Sequence, residues 1–484
     1  MPQLPPPTPV WSKGGHRLYH GDCEQVLARL PEASVQCVVT SPPYYGLRDY
    51  GTGTWLGGDP TCSHKKASRH QKQGATSQRK GRANLEDQRN ETFQRMCETC
   101  GAVRLDKQVG MEESVEEYVS KLVRVFRGVW RVLRADGVAW LNLGDSYASG
   151  GRTWRAANRN GMRSAVHSQA MPTRPQDGPG VKSKDLLGVP WRVALALQED
   201  GWTLRQDVIW HKPSPMPESV TDRCTRAHEY VFMLSKGPRY YYDVEAVKEP
   251  AVQSERRRSD RVGGNKYVEG VKHSDGAVFN GASTRNRRTV WSTEEEETTV
   301  LCWLKANRPD VYEEYLEAAQ THGPSSVWRL ANGGYKGAHF ATFPAKLITP
   351  MIMAGTSEKG ACPECGTPWH RITEKARTPT RPGVFSKVHG TDAATHGNRD
   401  PLRHVSVSRT VGWRAGCSCG TSDTVPCVVL DPFVGSGTTV AVAAELGRRG
   451  WGVDLSEEYL MDHAIKRVAS AMAEMKRGCP RGGG

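Results

Sequence analysis

The chain has 484 residues, enough for two to four domain-sized units or for one enzyme core with insertions. It carries 66 Lys and Arg against 52 Asp and Glu, and the formal net charge of +14 suits a polyanionic partner such as nucleic acid. No apolar run approaches the roughly 18 residues of a membrane helix, and the start lacks the residue order of a signal peptide. This excludes an integral membrane protein and predicts a cytoplasmic one, whose 13 cysteines bind metal or stay reduced.

The first predicted elements are a strand, a short helix and a second strand, within "HRLYHGDCEQVLARLPEASVQCVVT". The run "VQCVVT" is almost entirely apolar, as in strands that lie buried in a parallel sheet. The residues that follow, Ser41-Pro42-Pro43-Tyr44, end that strand, because proline lacks the N–H of the ladder and is excluded from strand interiors. A polar segment then extends to about residue 110, and its composition is typical of an insertion.

A second group of predicted elements runs from residue 114 to residue 237. Apolar residues recur at helical spacing between Val115 and Leu133, with Ser114 as the expected N-cap and Gly137 as the expected end of the helix. "VAWLNLGD" predicts a buried strand, "GVPWRVALALQEDGW" a second helix, and "TLRQDVIWHK" and "EYVFMLSKG" two further strands. This alternation predicts an α/β fold with a doubly wound, mostly parallel sheet.

The last predicted unit, "VVLDPFVGSGTTVAVAAELGRRGWGVD", is a strand, a glycine loop, a helix and another strand. Gly435 and Gly437 allow the backbone to approach a ligand closely, and Asp454 ends the second strand, where a carboxylate can bind both hydroxyls of a ribose. The loop lacks the third glycine of a dinucleotide site and the Lys-Ser/Thr of a phosphate loop, which favours a nucleoside without phosphates. An ordinary tight turn is the alternative interpretation.

Two motifs together resemble one enzyme family. Asp431-Pro432-Phe433-x-Gly435-x-Gly437-Thr438-Thr439 and Thr40-Ser41-Pro42-Pro43-Tyr44 are similar to the cofactor loop and the catalytic motif of the DNA amino-methyltransferases that use S-adenosylmethionine. The catalytic motif comes first here, as in the permuted beta group, which includes N4-cytosine and N6-adenine enzymes. The resemblance covers residues 18–50, 113–243, 327–355 and 428–459. It implies a class I methyltransferase-like fold, S-adenosylmethionine as cofactor and double-stranded DNA as partner.

The resemblance also assigns roles to individual positions. It implies that the cofactor is bound by Asp22, Phe343, Pro344, Asp431, Phe433, Gly435, Ser436, Gly437, Thr438 and Asp454, and that catalysis depends on Ser41, Pro42, Pro43 and Tyr44. An exocyclic amine is a poor nucleophile because its lone pair is delocalised into the ring of the base. The Ser41 Oγ and the Pro42 carbonyl can accept hydrogen bonds from both amine hydrogens, and Tyr44 can stack on a base rotated out of the duplex.

The target base and the reaction class have alternatives. In the family, Ser-Pro-Pro-Tyr favours N4 of cytosine and Asp-Pro-Pro-Tyr favours N6 of adenine, but both amines can meet the same two acceptors, so adenine stays open. A C5-cytosine enzyme would need a nucleophilic cysteine after a proline, and the one such pair, Pro426-Cys427, opens a buried strand where a thiol is expected to be inert. More distant alternatives are methylation of a protein glutamine or an RNA amine, and a zinc-containing DNA-binding protein with an inactive core.

Two cysteine clusters bracket two polar insertions. The first consists of Cys62, His64, Cys97 and Cys100, and the second of Cys362, Cys365, Cys417 and Cys419. Four soft ligands match closed tetrahedral zinc, which would supply folding energy to segments too polar to bury a core. We therefore predict two structural zinc ions, with unligated thiols in loops as the alternative.

These patterns divide the chain into successive segments. Residues 1–54 carry the catalytic motif, 55–110 the first zinc-binding insertion, 111–248 the methyltransferase core, 249–325 a target recognition region, 326–356 the segment that closes over the cofactor, 357–425 the second zinc-binding insertion and 426–475 the cofactor-binding part of the core. The recognition region contains arginines at 256–258, 285, 287 and 288, and arginine suits both phosphates and guanine edges. We expect a bacterial or phage-encoded enzyme, and leave open its oligomeric state and whether a cognate restriction endonuclease accompanies it.

Overall fold

The computed structural model describes residues 5–46, 53–62, 97, 99–105, 108–112, 114–148, 181–182, 184–212, 215, 218, 220–250, 284–287, 289–292, 343–379 and 404–476. The strands are β1 Trp11–Lys13, β2 His16–His20, β3 Val35–Thr40, β4 Thr54–Leu56, β5 Val103–Leu105, β6 Leu133–Leu143, β7 Thr203–His211, β8 His228–Ser235, β9 Glu249–Pro250, β10 Thr284–Arg285, β11 Val290–Ser292, β12 His370–Pro379, β13 His404–Arg414, β14 Val428–Asp431 and β15 Arg449–Asp454. The helices are α1 Cys23–Arg29, α2 Val115–Val132, α3 Val189–Glu199, α4 Ala345–Gly355, α5 Thr438–Glu445, α6 Glu457–Tyr459 and α7 Ile465–Lys476. A 3₁₀ turn covers Glu245–Val247, and a π-helical turn, Leu460–Ala464, joins α6 to α7.

The centre of the molecule is a nine-stranded sheet in the order β1-β2-β15-β14-β3-β6-β8-β7-β11. The strands from β2 to β6 in that order are mutually parallel, whereas β8 is antiparallel to both of its neighbours and β1 is antiparallel to β2. Helices α1, α2 and α3 pack on one face of the sheet, and α4 and α5 pack on the other. The prediction of a doubly wound, mostly parallel α/β sheet is therefore confirmed.

Strand β3 shows how the sequence separates the two cores. All six of its residues are buried, as its nearly apolar run predicts for a strand inside a parallel sheet. Val38 packs into the core beneath α1, α2 and α3, and Val39 packs into the core beneath α4 and α5. Successive side chains of a strand point to opposite faces, so one short run supplies both layers.

Helix α2 begins where the sequence predicts and ends earlier. The Ser114 hydroxyl oxygen accepts a hydrogen bond from the backbone N–H of Glu117 at 3.1 Å, which confirms Ser114 as the N-cap. The helix ends at Val132, so the expectation that it runs to Gly137 is wrong. The reason is that β6 starts directly at Leu133, which pairs with Val35 of β3. Gly137 lies inside that strand.

Within the described ranges, three two-stranded antiparallel pairs lie outside the central sheet: β4 with β5, β9 with β10, and β12 with β13. The sequence predicted no strands in the insertions that contain the first and last of these pairs. Strand β11 lies within the predicted recognition region and extends the central sheet by pairing with β7 in parallel, while residues 251–283 and 293–325 of that region lie outside the described part. Of the helices in the described ranges, none is both long and apolar enough to cross a membrane.

Candidate active site

The carboxyl ends of neighbouring parallel strands meet at one edge of the sheet, where β3 ends at Thr40, β14 at Asp431 and β15 at Asp454. A cavity of about 520 Å³ opens at this edge, within the range of small-molecule sites. All predicted catalytic and cofactor residues except Pro344 and Gly437 line it, namely Asp22, Ser41, Pro42, Pro43, Tyr44, Phe343, Asp431, Phe433, Gly435, Ser436, Thr438 and Asp454. The fold thus brings segments from both ends of the chain to one site.

The glycine loop between β14 and α5 is hydrogen-bonded to the end of β15. The Gly435 N–H donates to one carboxylate oxygen of Asp454 at 2.9 Å, and the Ser456 N–H donates to the other at 2.8 Å. Gly437 is the N-cap of α5 at φ +82°, and a Cβ there would lie 2.9 Å from the Cα of Ala464. Glycine is therefore required at this position by both conformation and packing. Burial raises the pKa of Asp454.

Asp431 connects the loop to the catalytic motif. Its carboxylate is 1 % exposed and accepts hydrogen bonds from the hydroxyls of Thr40 and Thr439, each at 2.6 Å, and from the Phe433 N–H at 3.0 Å. Thr40 is the first residue of the catalytic motif, so the Asp431 side chain joins the start of that motif to the first turn of α5. Burial raises the pKa of Asp431 to about 6 despite these hydrogen bonds.

The remaining predicted cofactor residues surround this loop. Asp22 lines the cavity and also caps α1, because its carboxylate accepts the backbone N–H groups of Glu24 at 2.9 Å and Gln25 at 3.2 Å. The hydroxyls of Ser436 and Thr438 accept hydrogen bonds from Arg467 of α7 at 3.1 and 2.7 Å. Outside the cavity lining, Pro344 is the N-cap of α4, directly after the buried Phe343.

A polar network surrounds the catalytic motif. The Ser41 hydroxyl donates to the hydroxyl oxygen of Tyr44 at 3.3 Å, and the Tyr44 hydroxyl donates to Glu229 Oε2 at 2.6 Å. The Asn142 side-chain amide donates to the Tyr44 oxygen at 2.8 Å and to Glu229 Oε2 at 3.1 Å. Lys212 donates to the other oxygen of Glu229. Burial, followed by the negative charge of Glu229, raises the pKa of Tyr44, so its hydroxyl stays protonated.

The backbone around Tyr44 is held as closely as its hydroxyl. A Cβ on Gly144 would lie 2.6 Å from the Tyr44 ring, and a Cβ on Gly110 would lie 2.8 Å from the Tyr44 carbonyl oxygen. The Tyr118 hydroxyl donates to the Pro43 carbonyl at 3.0 Å. The Tyr44 ring therefore packs directly against the backbone of Gly144 at the end of β6, where no side chain could be accommodated.

Sequence reasoning missed several residues of this site: Tyr118, Asn142, Lys212, Arg226 and Glu229. They come from α2, β6 and the β7–β8 hairpin, and no local spacing links them to the catalytic motif. One available signal was polarity next to an apolar run, since Asn142 follows "VAWL" in β6 and Glu229 precedes "YVFML" in β8 at the same sheet edge.

Comparison with known proteins agrees with this geometry. A family model described as DNA methylase, covering N6 and N4 methyltransferases, matches residues 35–362 and 426–466. The chain belongs to the N6/N4 DNA methylase family. This confirms the resemblance carried by the two motifs.

Curated relatives of this DNA methylase match over most of their length. Type II methyltransferase M.Cfr9I of Citrobacter freundii is 31% identical over 94% of this chain and 88% of its own. M.SmaI of Serratia marcescens is 31% identical over 91% and 86%, and M.XycI of Xanthomonas campestris pv. cyanopsidis is 34% identical over 71% and 73%. The similarity thus extends well beyond the two motifs.

Cys23 is a thiol among the described residues that line the DNA methylase cavity, but it follows Asp22 and not a proline, and burial raises the pKa of this thiol to about 12. Cys427 is 0 % exposed at the residue before β14, and burial raises the pKa of its thiol to about 11. A thiol nucleophile must be accessible and ionised, so Cys427 is a packing residue, as its position in the sequence predicts.

Both cysteine clusters of the DNA methylase form the same turn. In Cys97-x-x-Cys100-Gly101 the Cys97 N–H donates to the Ala102 carbonyl at 2.8 Å, and the Gly101 N–H donates to the Cys97 carbonyl at 2.8 Å. Cys362-x-x-Cys365-Gly366 repeats both hydrogen bonds at 2.9 Å, and its glycine has φ +71° where Gly101 has +72°.

The ligand atoms of each cluster converge. The sulfurs of Cys362, Cys365, Cys417 and Cys419 lie within 4.8 Å of one another, and so do those of Cys62, Cys97 and Cys100. His64, the fourth predicted ligand of the first cluster, lies outside the described residues. Four converging thiols match the donor set of a closed structural zinc site.

The second cluster is attached to the sheet edge opposite the cavity. The Gln36 side chain donates to the Gly366 carbonyl at 2.9 Å and accepts from the Val428 N–H at 2.7 Å. Arg134 donates to Thr367 Oγ1 at 2.9 Å and to the Cys365 carbonyl. These contacts lie near the starts of β3, β6 and β14, so the cluster packs against the amino ends of the strands whose carboxyl ends form the active site.

Proposed function

We propose that this DNA methylase transfers a methyl group from S-adenosylmethionine to the exocyclic amine of a flipped base in double-stranded DNA, and that the base is cytosine, methylated at N4. One observation supports this most directly. Ser41 and the glycine loop line the same cavity, and Asp431 joins their two segments through Thr40 and Thr439.

The cavity fits the proposed cofactor. Asp454 at the tip of β15 and Asp22 at the start of α1 offer carboxylates beside the open glycine loop, as a nucleoside requires. Phe343 and Phe433 add aromatic surface, which suits a sulfonium cation. S-adenosylmethionine, when bound, supplies an activated methyl group that an amine can attack without a covalent enzyme intermediate.

The catalytic motif prepares the attacking amine. The Ser41 oxygen and the Pro42 carbonyl are the proposed acceptors for the two amine hydrogens, which favours a tetrahedral nitrogen with an available lone pair. The Tyr44 ring offers a stacking surface for the extruded base, which cannot reach a methyl donor while it is stacked in the duplex. Its fixed position against Gly144 would hold the amine close to Ser41.

The choice of base is the finer part of the proposal. Serine at the first position of the motif favours cytosine N4, and adenine N6 is the alternative, because the same two acceptors fit either amine. The relatives named type II methyltransferases also support a place for this chain beside a cognate restriction endonuclease.

Replacing Ser41 tests the catalytic assignment. We expect Ser41→Ala to lower the methylation rate by about 10²- to 10³-fold, because one acceptor of the amine is lost, while duplex affinity stays within about threefold. Methylation is measured by transfer of a labelled methyl group, and duplex affinity by fluorescence anisotropy.

Ser34→Ala is the matched control for this experiment. Ser34 immediately precedes the first residue of β3, whereas Ser41 follows its last residue. The Ser34 hydroxyl donates to the Pro31 carbonyl at 2.7 Å. This variant should keep the wild-type rate. A Ser41→Ala variant with wild-type turnover and binding would refute the role of Ser41.

We further propose that each cysteine cluster holds one structural zinc ion. The convergence of three or four thiols and the repeated Cys-x-x-Cys-Gly turn support both sites. His64, two residues after Cys62, is the proposed fourth ligand of the first site. With all positions filled by protein, such ions would stabilise the insertions and leave catalysis to the cavity.

A further inference from the structure

Glu229 of β8 is a buried carboxylate that borders the cavity but has no place in the mechanism so far. It is 9 % exposed and terminates a chain of hydroxyls that begins at Ser41. Ser41 donates to Tyr44, and Tyr44 donates to Glu229. An ionised carboxylate can only accept hydrogen bonds, so Glu229 determines the direction in which the hydroxyls of Tyr44 and Ser41 donate.

Two further side chains hold the network in that direction. Lys212 donates to Glu229 Oε1 and supplies the positive charge that a buried carboxylate needs. Asn142 donates its side-chain N–H to the Tyr44 oxygen at 2.8 Å and to Glu229 Oε2 at 3.1 Å. Because Asn142 donates to the Tyr44 oxygen, the Tyr44 proton is directed toward Glu229.

The direction of the chain decides what Ser41 presents to the cavity. When the Ser41 proton points to Tyr44, the Ser41 oxygen accepts the Asn142 side-chain N–H at 3.4 Å and keeps a second lone pair that can accept an amine hydrogen. If the chain ran the other way, Ser41 would direct its proton toward the amine and repel it. The methyl-acceptor geometry therefore depends on Glu229 through Tyr44.

We propose that Glu229 is a positioning residue for methyl transfer, which orients the hydroxyls of Tyr44 and Ser41 and receives the proton that the methylated amine releases. This inference rests on the proposed function. The amine gains a methyl group and a positive charge, and it must then lose one N–H proton to become neutral.

The proton released by the amine can reach Glu229 along this chain of hydroxyls without another reactant. The amine proton passes to the Ser41 oxygen as the Ser41 proton passes to the Tyr44 oxygen and the Tyr44 proton passes to Glu229 Oε2. Ser41 and Tyr44 end as neutral hydroxyls, and Glu229 ends as a carboxylic acid beside Lys212. Its proton then leaves to solvent before the next turnover.

Glu229→Gln tests the direction of the chain with little change in shape. Lys212 still needs an acceptor, so the new amide oxygen faces Lys212 and the new N–H group faces Tyr44. That reverses the chain and directs the Ser41 proton into the cavity. We expect the single-turnover methylation rate to fall at least 100-fold, while the affinities for duplex and for S-adenosylmethionine, measured by anisotropy and calorimetry, change less than threefold.

Tyr44→Phe provides a second variant, which keeps the ring and removes the link between Ser41 and Glu229. We expect at least a 30-fold loss of rate. The double variant Tyr44→Phe/Glu229→Gln should be no slower than the slower single variant, because both interrupt the same chain. Multiplying losses in the double variant would overturn the proposal.

Asp243→Asn is the matched control for loss of a buried charge. The Asp243 side chain is 3 % exposed and pairs with Arg371 at 3.0 Å, outside the cavity lining. It should lose thermal stability and keep the wild-type methylation rate. A Glu229→Gln or Tyr44→Phe variant within threefold of the wild-type rate overturns the role of Glu229 alone, whereas a wild type that methylates no DNA amine overturns the proposed function.

Discussion

Tyr44 is the residue on which the polar and steric constraints of the site converge. Its hydroxyl lies between Ser41, Asn142 and Glu229, and its ring lies against Gly144. In the proposed mechanism the ring is the platform for the flipped base. A small displacement of the ring should therefore reduce the rate more than the stability.

Gly144→Ala tests this steric requirement. The new Cβ would lie 2.6 Å from the Tyr44 ring, so the ring must move, and we expect roughly a tenfold or greater loss of methylation rate. Gly237→Ala is the control, because a Cβ at Gly237 meets nothing within 4 Å. Equal rates for the two variants, measured under single-turnover conditions, would show that the ring position is unimportant.

The raised pKa of Asp431 predicts that its contribution to the stability of the folded chain decreases as the pH rises. Its pKa in the folded chain is raised to about 6, whereas an unfolded aspartate titrates near 3.9. As the pH rises between these values, the unfolded chain releases its proton first, so this residue increasingly disfavours the folded state. Below both values it makes no such contribution.

Asp431→Asn removes that titration. Urea unfolding at about pH 4.5 and about pH 8 should show the wild type losing about 2 kcal/mol of unfolding free energy relative to the variant. A difference that stays constant, or that moves in favour of the wild type as the pH rises, would contradict the raised pKa.

At the scale of elements, the two Cys-x-x-Cys-Gly turns are attached to different parts of the core. The segment after the first turn and β5 reaches the cavity through Gln108 and Val109. The second turn is fixed to the opposite sheet edge through Gln36 and Arg134. The insertions therefore support the active-site edge and the base of the sheet separately.

Metal analysis of purified chain tests the zinc proposal. We expect two zinc ions per wild-type chain and one in either Cys365→Ser or Cys100→Ser, with the melting temperature of Cys365→Ser lowered by roughly 10 °C or more. Cys224, an exposed thiol outside both clusters, is the control position, and Cys224→Ser should keep both ions. Unchanged zinc content in the cluster variants would refute the assigned ligands.

At the scale of the whole molecule, the fold explains why local sequence patterns predicted some features and missed others. The catalytic motif and the glycine loop are each continuous in sequence, so both could be matched to a family, and that resemblance implied their chemistry. The network around Glu229 joins β6, β7, β8 and the catalytic motif, and only the strand order places Asn142, Lys212 and Glu229 beside Tyr44.

The missed elements have a physical reason as well. Strands β12 and β13 pair along their whole length but carry charged and polar residues at most positions, so they resemble a polar insertion in sequence. These two strands are held by pairing with each other and by the cysteine turn beside them. They therefore lack the hydrophobic periodicity that predicts strands elsewhere in the chain. The end of α2 was misplaced because β6 starts at Leu133 without an intervening turn residue.

The central claim is that this chain methylates an exocyclic amine of DNA, and nucleoside analysis tests it most directly. Plasmid DNA from a methylation-free host that expresses the wild type or Ser41→Ala would be digested to nucleosides and analysed by mass spectrometry. The account predicts N4-methylcytosine with the wild type and a strongly reduced amount with the variant. N6-methyladenine would contradict the choice of base, and C5-methylcytosine or unmodified DNA would contradict the mechanism.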